Sequence, residues 1–106
     1  MTDVVCTLTA DDARDRLAEY GRLFAAAYAG RERTTAGMRW WLRADPGIAE
    51  WARDLAARER ACCAFLTIAV TEDGGRVRWE TSAEPAAQAV VDEFYELPLT
   101  GPRGDG

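Results

Sequence analysis

The chain has 106 residues, 48% hydrophobic and 29% charged, the size and balance of one compact domain rather than of a disordered polymer. It contains no His, and all 13 basic side chains are Arg, which excludes Ser-His-Asp chemistry, imidazole bases, Cys/His zinc sites, Schiff bases, pyridoxal phosphate anchors and P-loops. The net charge of −5 arises wholly after residue 79, where Glu80, Glu84, Asp92, Glu93, Glu96 and Asp105 face Arg103 alone, so a phosphate backbone is repelled and no nucleic-acid partner is expected.

Val4-Val5-Cys6-Thr7-Leu8 reads as a first strand with Val4, Cys6 and Leu8 on one face. Thr9 and Asp12 then carry a capping signal for a helix in which Ala13, Leu17, Tyr20, Phe24 and Tyr28 recur at three- and four-residue spacing, with Gly30 as its stop. Arg14, Asp15, Glu19 and Arg22 fill the rest of that helix. Thr35 to Arg43 alternates: Met38, Trp40 and Leu42 fall on an inner face, Arg39, Trp41 and Arg43 on a cationic-aromatic outer one. Asp45-Pro46 predicts the start of a second helix running to Cys62 or Cys63. Phe65–Thr71 and Arg76–Thr81 read as a hairpin turned by Asp73-Gly74-Gly75. A last helix begins at Glu84-Pro85, passes through Val90, Val91 and Phe94, and stops at Pro98. The expected fold is α+β, a two-layer sandwich in β-α-β-α-β-β-α order, its four-stranded sheet carrying helices mainly on one face. One domain over 1–98 and a disordered tail over 99–106 complete the expectation.

The second helix holds an anomaly. At 100° per residue, Ile48, Trp51, Ala52 and Leu55 form an apolar stripe, and Glu59 falls on it, flanked by Cys62 and Cys63 at i+3 and i+4. A buried unpaired carboxylate costs several kcal/mol or becomes protonated, so a partner is required. An ion pair with Arg39 or Arg43 is the plain alternative to catalysis, and Arg58 and Arg60 are further cations near the site. The cysteines have a plain reading too, as small core residues. Cys6 on the inner face of the first strand and Cys62 and Cys63 at the helix end are nevertheless candidates for one region. Three thiols and a carboxylate suit a soft ion such as mercury, arsenite or copper(I). Adjacent helical side chains diverge, so Cys62 and Cys63 share an ion only if the helix ends between them.

The segment Glu59-Arg60-Ala61-Cys62-Cys63-Ala64-Phe65-Leu66, with Cys6-Thr7-Leu8 and Gly37-Met38-Arg39-Trp40-Trp41-Leu42-Arg43, resembles small bacterial proteins, many actinobacterial, that share an E-x-C-C-x-F-L type motif, here with two residues between Glu59 and Cys62. The likeness spans roughly residues 4–81. It implies a thiol role and an association with mercury and arsenic resistance systems. Ala64 stands where such proteins often have Pro.

Three functions are carried forward. The first is binding of a soft metal or metalloid ion by Cys6, Cys62, Cys63 and Glu59. The second is a thiol enzyme or redox protein in which Cys62 or Cys63 is the nucleophile, Glu59 the acid/base, and Arg39 or Arg43 holds an anionic substrate beside Trp41. The third is an interaction module with structural thiols, with Trp41 in a homodimer contact. No apolar run reaches the length of a membrane span and no signal-peptide pattern is present. The expectation is therefore a cytoplasmic protein with reduced cysteines and no membrane partner.

Overall fold

The computed structural model describes residues 10–100. Within them the chain runs α1 (Ala10–Ala27), β1 (Tyr28–Arg33), β2 (Gly37–Arg43), α2 (Ile48–Cys62), β3 (Thr67–Asp73), β4 (Arg76–Ser82), a 3-10 turn (Pro85–Ala87) and α3 (Gln88–Thr100). The class is α+β, with one four-stranded antiparallel sheet in the order β1-β2-β4-β3 and three α-helices among the described residues. The strand expected at Val4–Leu8 and the cap at Thr9 lie outside the described residues. The expected element order is therefore corrected from residue 10 onward: a strand follows the first helix where none was foreseen.

α1 buries Tyr20, Leu23, Phe24 and Ala27, an i, i+3, i+4, i+7 set. Leu17, expected on that face, is 44% exposed. Tyr28 does not continue the helix but opens β1, and Gly30 sits inside that strand at an irregularity: Tyr28 pairs with Leu42 while Gly30 pairs with Trp41, which leaves Ala29 as the extra residue of a bulge. None of the β1 residues is fully buried, so no apolar alternation announces it. Its backbone pairing with β2 and the seating of Arg31 and Arg33 against Tyr95 hold it instead, each guanidinium carbon lying 4.1 Å from the ring centre.

β2 follows its alternation. Met38, Trp40 and Leu42 are fully buried, whereas Arg39 and Trp41 are partly exposed and Arg43 exposed. β4 repeats the pattern with Val77, Trp79 and Thr81 inward, and Trp40 pairs with Trp79 across the register. The β3–β4 hairpin turns at Gly74 and Gly75, whose φ values of 61° and 86° only glycine adopts freely. α2 begins at Ile48, after the expected Asp45-Pro46 start. Gly47, in a left-handed conformation, is its N-cap, and no side chain caps the helix. Asp45 instead offers its backbone carbonyl to Ile48 N–H at 3.0 Å.

Pro98 does not end α3, which runs on to Thr100. A proline inside a helix leaves the carbonyl four residues earlier without its amide donor. That carbonyl belongs to Phe94, and the buried indole Nε1 of Trp40 donates to it at 3.1 Å. The defect thus becomes a fastening between α3 and the sheet.

The core joins these parts. The ring of Tyr20 meets Trp40, Trp79 and Phe94 edge-on at 5.7, 5.8 and 6.0 Å, and Trp40 stacks on Phe94 at 5.7 Å. Leu55 and Ala52 of α2 and Val91 of α3 complete it. Each large side chain so buried contributes roughly 1.5–3 kcal/mol of transfer free energy.

Candidate functional site

Glu59 is 5% exposed and lies on the last turn of α2, where the 100° spacing places it below Leu55 on the buried stripe. Its Oε1 accepts from Arg16 Nη1 at 2.7 Å and from Tyr20 Oη at 3.0 Å. Both donors stand on α1, one turn apart, and therefore on one face of that helix. The cations expected to balance Glu59 are corrected by this geometry. Arg39 lies on the outer sheet face with Glu32 and Glu80, Arg43 donates to the Ala26 carbonyl at 2.5 Å, Arg58 pairs with Glu19, and Arg60 donates to the Ile68 carbonyl.

The second carboxylate oxygen, Oε2, lies 3.3 Å from Cys63 Sγ. Cys63 is fully buried and disulfide-bonded, which corrects the expectation of a thiol at this position. A disulfide sulfur has no proton to donate, so this approach is a close sulfur–oxygen contact in the oxidised protein. It becomes a thiol–carboxylate hydrogen bond once the sulfur carries a proton. The helix ends at Cys62, and Cys63 leaves the helical path with φ −127° and ψ 69° while its N–H still reaches the Glu59 carbonyl at 2.8 Å. The two adjacent cysteines are thereby placed on different backbone conformations, the condition set for them to act together. The Cys6 assignments and those on the Cys62 side chain lie outside the described residues. Among the described residues no three His, Cys, Asp or Glu side chains gather as a metal site.

Of the expected anion-binding trio, Arg39 and Trp41 meet on Glu32, while Arg43 bonds to the Ala26 carbonyl. Arg39 is held by Glu32 and, at 2.6 Å, by Glu80, while Trp41 Nε1 donates to Glu32 at 3.2 Å. The Arg39 guanidinium holds the Glu32 carboxyl below the usual carboxylate range. Arg76, not Arg43, stacks on Trp41, 4.0 Å from its ring centre.

Two residues of the site escaped the sequence reading. Tyr20 counts there only as core, and Arg16 is not singled out. The signal is a basic residue one turn before a buried aromatic on the same helical face, opposite in sign to the stray Glu59. Glu19, read as a plain polar position, joins α1 to α2: Arg58 donates to both its oxygens at 2.8 and 2.7 Å and Trp51 Nε1 adds a bond at 2.8 Å.

No helix among the described residues is long and apolar enough to cross a membrane. Comparison with protein-family models, with curated proteins and with solved structures finds no match.

Proposed function

We propose that this chain is a thiol–disulfide redox protein in which Cys63 alternates between disulfide and thiol and Glu59 handles its proton. The observation that carries the reading is the 3.3 Å approach of Glu59 Oε2 to Cys63 Sγ inside the core, with Oε1 fixed by Arg16 and Tyr20. An ion pair alone needs no sulfur beside its second oxygen.

The chemistry balances as follows. In reduction an incoming thiol gives up its proton, its sulfur attacks the sulfur bonded to Cys63, the S–S bond breaks, and Cys63 leaves as a thiolate to which the Glu59 carboxylate relays that proton. A second thiol then resolves the mixed disulfide. Two R–SH become R–S–S–R and the protein gains two thiols. In the reverse direction Glu59 accepts the Cys63 proton, and the thiolate attacks a substrate disulfide.

Replacing Glu59 by Gln keeps the shape and removes the proton carrier. Reduction by dithiothreitol, followed by alkylation and mass spectrometry, should slow about 100-fold in that variant when both proteins are compared at one pH, so that the reductant's thiolate fraction is the same. Circular dichroism checks the fold, and the double variant Arg16→Gln/Glu59→Gln controls for the guanidinium left without its carboxylate. A wild-type disulfide that yields only on unfolding, or an unchanged rate in the folded variant, would sink the proposal.

A second reading rests on the same disulfide. Two sulfurs that bond to each other are, once reduced, close enough to clasp one soft ion, with Glu59 as an oxygen donor beside them. Mercuric ion or arsenite titrated into the reduced protein should be bound with a stoichiometry of one, and lost on Cys63→Ser.

A further inference from the structure

Tyr20 differs from the two buried indoles beside it in where its proton points. Trp40 Nε1 donates to the Phe94 carbonyl at 3.1 Å and Trp79 Nε1 to Thr81 Oγ1 at 2.8 Å, both neutral acceptors. The Tyr20 hydroxyl donates at 3.0 Å to Glu59 Oε1, a carboxylate that Arg16 fixes in place at 2.7 Å. All three rings are buried and in contact: Tyr20 meets Trp40 at 5.7 Å and Trp79 at 5.8 Å, and the indoles lie 5.1 Å apart. Phe24, 4.8 Å from Trp40 and 5.9 Å from the partly exposed Tyr28, carries the row of rings toward the surface. A phenol or indole that loses an electron becomes a strong acid, so the vacancy settles where a base can take the proton. Glu59 is that base at Tyr20, and a carbonyl and a hydroxyl are not at the indoles. The same carboxylate reaches Cys63 Sγ with its other oxygen at 3.3 Å, so one side chain stands between a phenol and a sulfur.

Building on the redox reading, we infer that Tyr20 is a one-electron relay through which the reduced protein quenches oxidising radicals. A radical X• at the surface takes an electron through the rings and becomes X⁻. Tyr20 supplies that electron and passes its phenolic proton to Glu59 Oε1, which leaves a neutral tyrosyl radical. The Cys63 thiol then gives its electron to Tyr20 and its proton to Oε2, while Oε1 returns a proton to the phenolic oxygen. The Cys63 thiyl radical closes onto the sulfur to which it is bonded in the oxidised protein, and that sulfur sheds its proton. The disulfide radical anion so formed gives its extra electron to a second X•. Two X• become two X⁻, two protons are released, and the dithiol becomes the disulfide.

The test reoxidises the reduced full chain with two reagents, counting thiols by alkylation and mass spectrometry. Hexachloroiridate(IV) withdraws single electrons, whereas oxidised glutathione acts by thiol exchange and has no use for a phenol. Tyr20→Phe keeps the ring and removes the hydroxyl. Its reoxidation by hexachloroiridate should slow about 100-fold, the loss expected for a positioned proton-transfer group, and its reoxidation by glutathione disulfide should match the wild type. The chain has three tyrosines. In the disulfide form of Tyr28→Phe/Tyr95→Phe, freeze-quenching after hexachloroiridate should trap a tyrosyl radical by electron paramagnetic resonance, and adding Tyr20→Phe should abolish it. Equal rates for Tyr20→Phe and wild type with hexachloroiridate, equal slowing with both reagents, or no tyrosyl signal where Tyr20 is the sole tyrosine would overturn the relay and leave the redox reading standing. A disulfide inert to dithiothreitol in the folded protein would overturn the redox reading, and with it the passage of hydrogen from Cys63.

Discussion

Glu59 carries a carboxylate into an interior where an isolated charge costs several kcal/mol, and its tolerance depends on donors from another helix. Arg16 and Tyr20 supply them to one oxygen, and the other lies 3.3 Å from Cys63 Sγ. Such an arrangement is legible only in part from sequence. The stripe of α2 exposes Glu59 as misplaced, but the partner's identity depends on how α1 crosses α2, and local spacing does not encode that crossing. Glu19 shows the same dependence at a more accessible place. Arg58 bonds to both its oxygens and hold its pKa down at about 2, with Trp51 helping, against an ordinary 4.5. A carboxyl whose pKa is lowered by folding stabilises the native state above its unfolded value and loses that contribution as the pH falls toward the folded one. With Arg58 partly solvated, the contribution is about 2 kcal/mol. Urea midpoints should therefore fall between pH 5 and pH 2 in the wild type, and fall less steeply in Glu19→Gln. Parallel curves for the two proteins would refute the assignment.

Among the elements, those with a strong period are the ones the sequence announces. α2, β2 and the Gly74-Gly75 hairpin follow from 3.6-residue spacing, alternation and turn chemistry. β1 is missed because its side chains are polar or small and its order comes from backbone pairing with β2. The end of α3 is missed because the effect of Pro98 depends on an indole from another strand meeting the freed Phe94 carbonyl. Gly37 is a further case of long-range demand. A Cβ there would lie 1.9 Å from the Thr81 carbonyl oxygen, so β2 and β4 can approach only while this residue has no side chain. Gly37→Ala should cost more than about 3 kcal/mol, read as a lowered thermal midpoint, because rigid backbone and not a flexible side chain stands in the way. A midpoint within a few degrees of the wild type would show that the strands can part cheaply.

At the scale of the whole molecule, the four-stranded sheet of the described residues ends in β1 and β3, and sheet edges invite other chains. Along β1, Arg31 and Arg33 are tied to Glu96 and Asp92 of α3, and Glu32 to Arg39. β3 is latched by α2, where Arg60 donates to the Ile68 carbonyl at 3.0 Å and Arg53 pairs with Glu72 at 3.2 Å. Arg60→Ala should change unfolding free energy by less than about 1 kcal/mol. It should nonetheless raise light scattering of concentrated protein on warming, since it frees a strand-edge acceptor. Unchanged scattering would locate the protection elsewhere. The position of Tyr20 has a different kind of consequence. Its hydroxyl rests on Glu59 while its ring touches Trp40 and Trp79 edge-on, at 5.7 and 5.8 Å. A change of charge at the carboxylate is thus one side chain away from two buried indoles. The molecule carries its own optical reporter, and tryptophan emission recorded during reduction follows the state of Cys63 without any attached label.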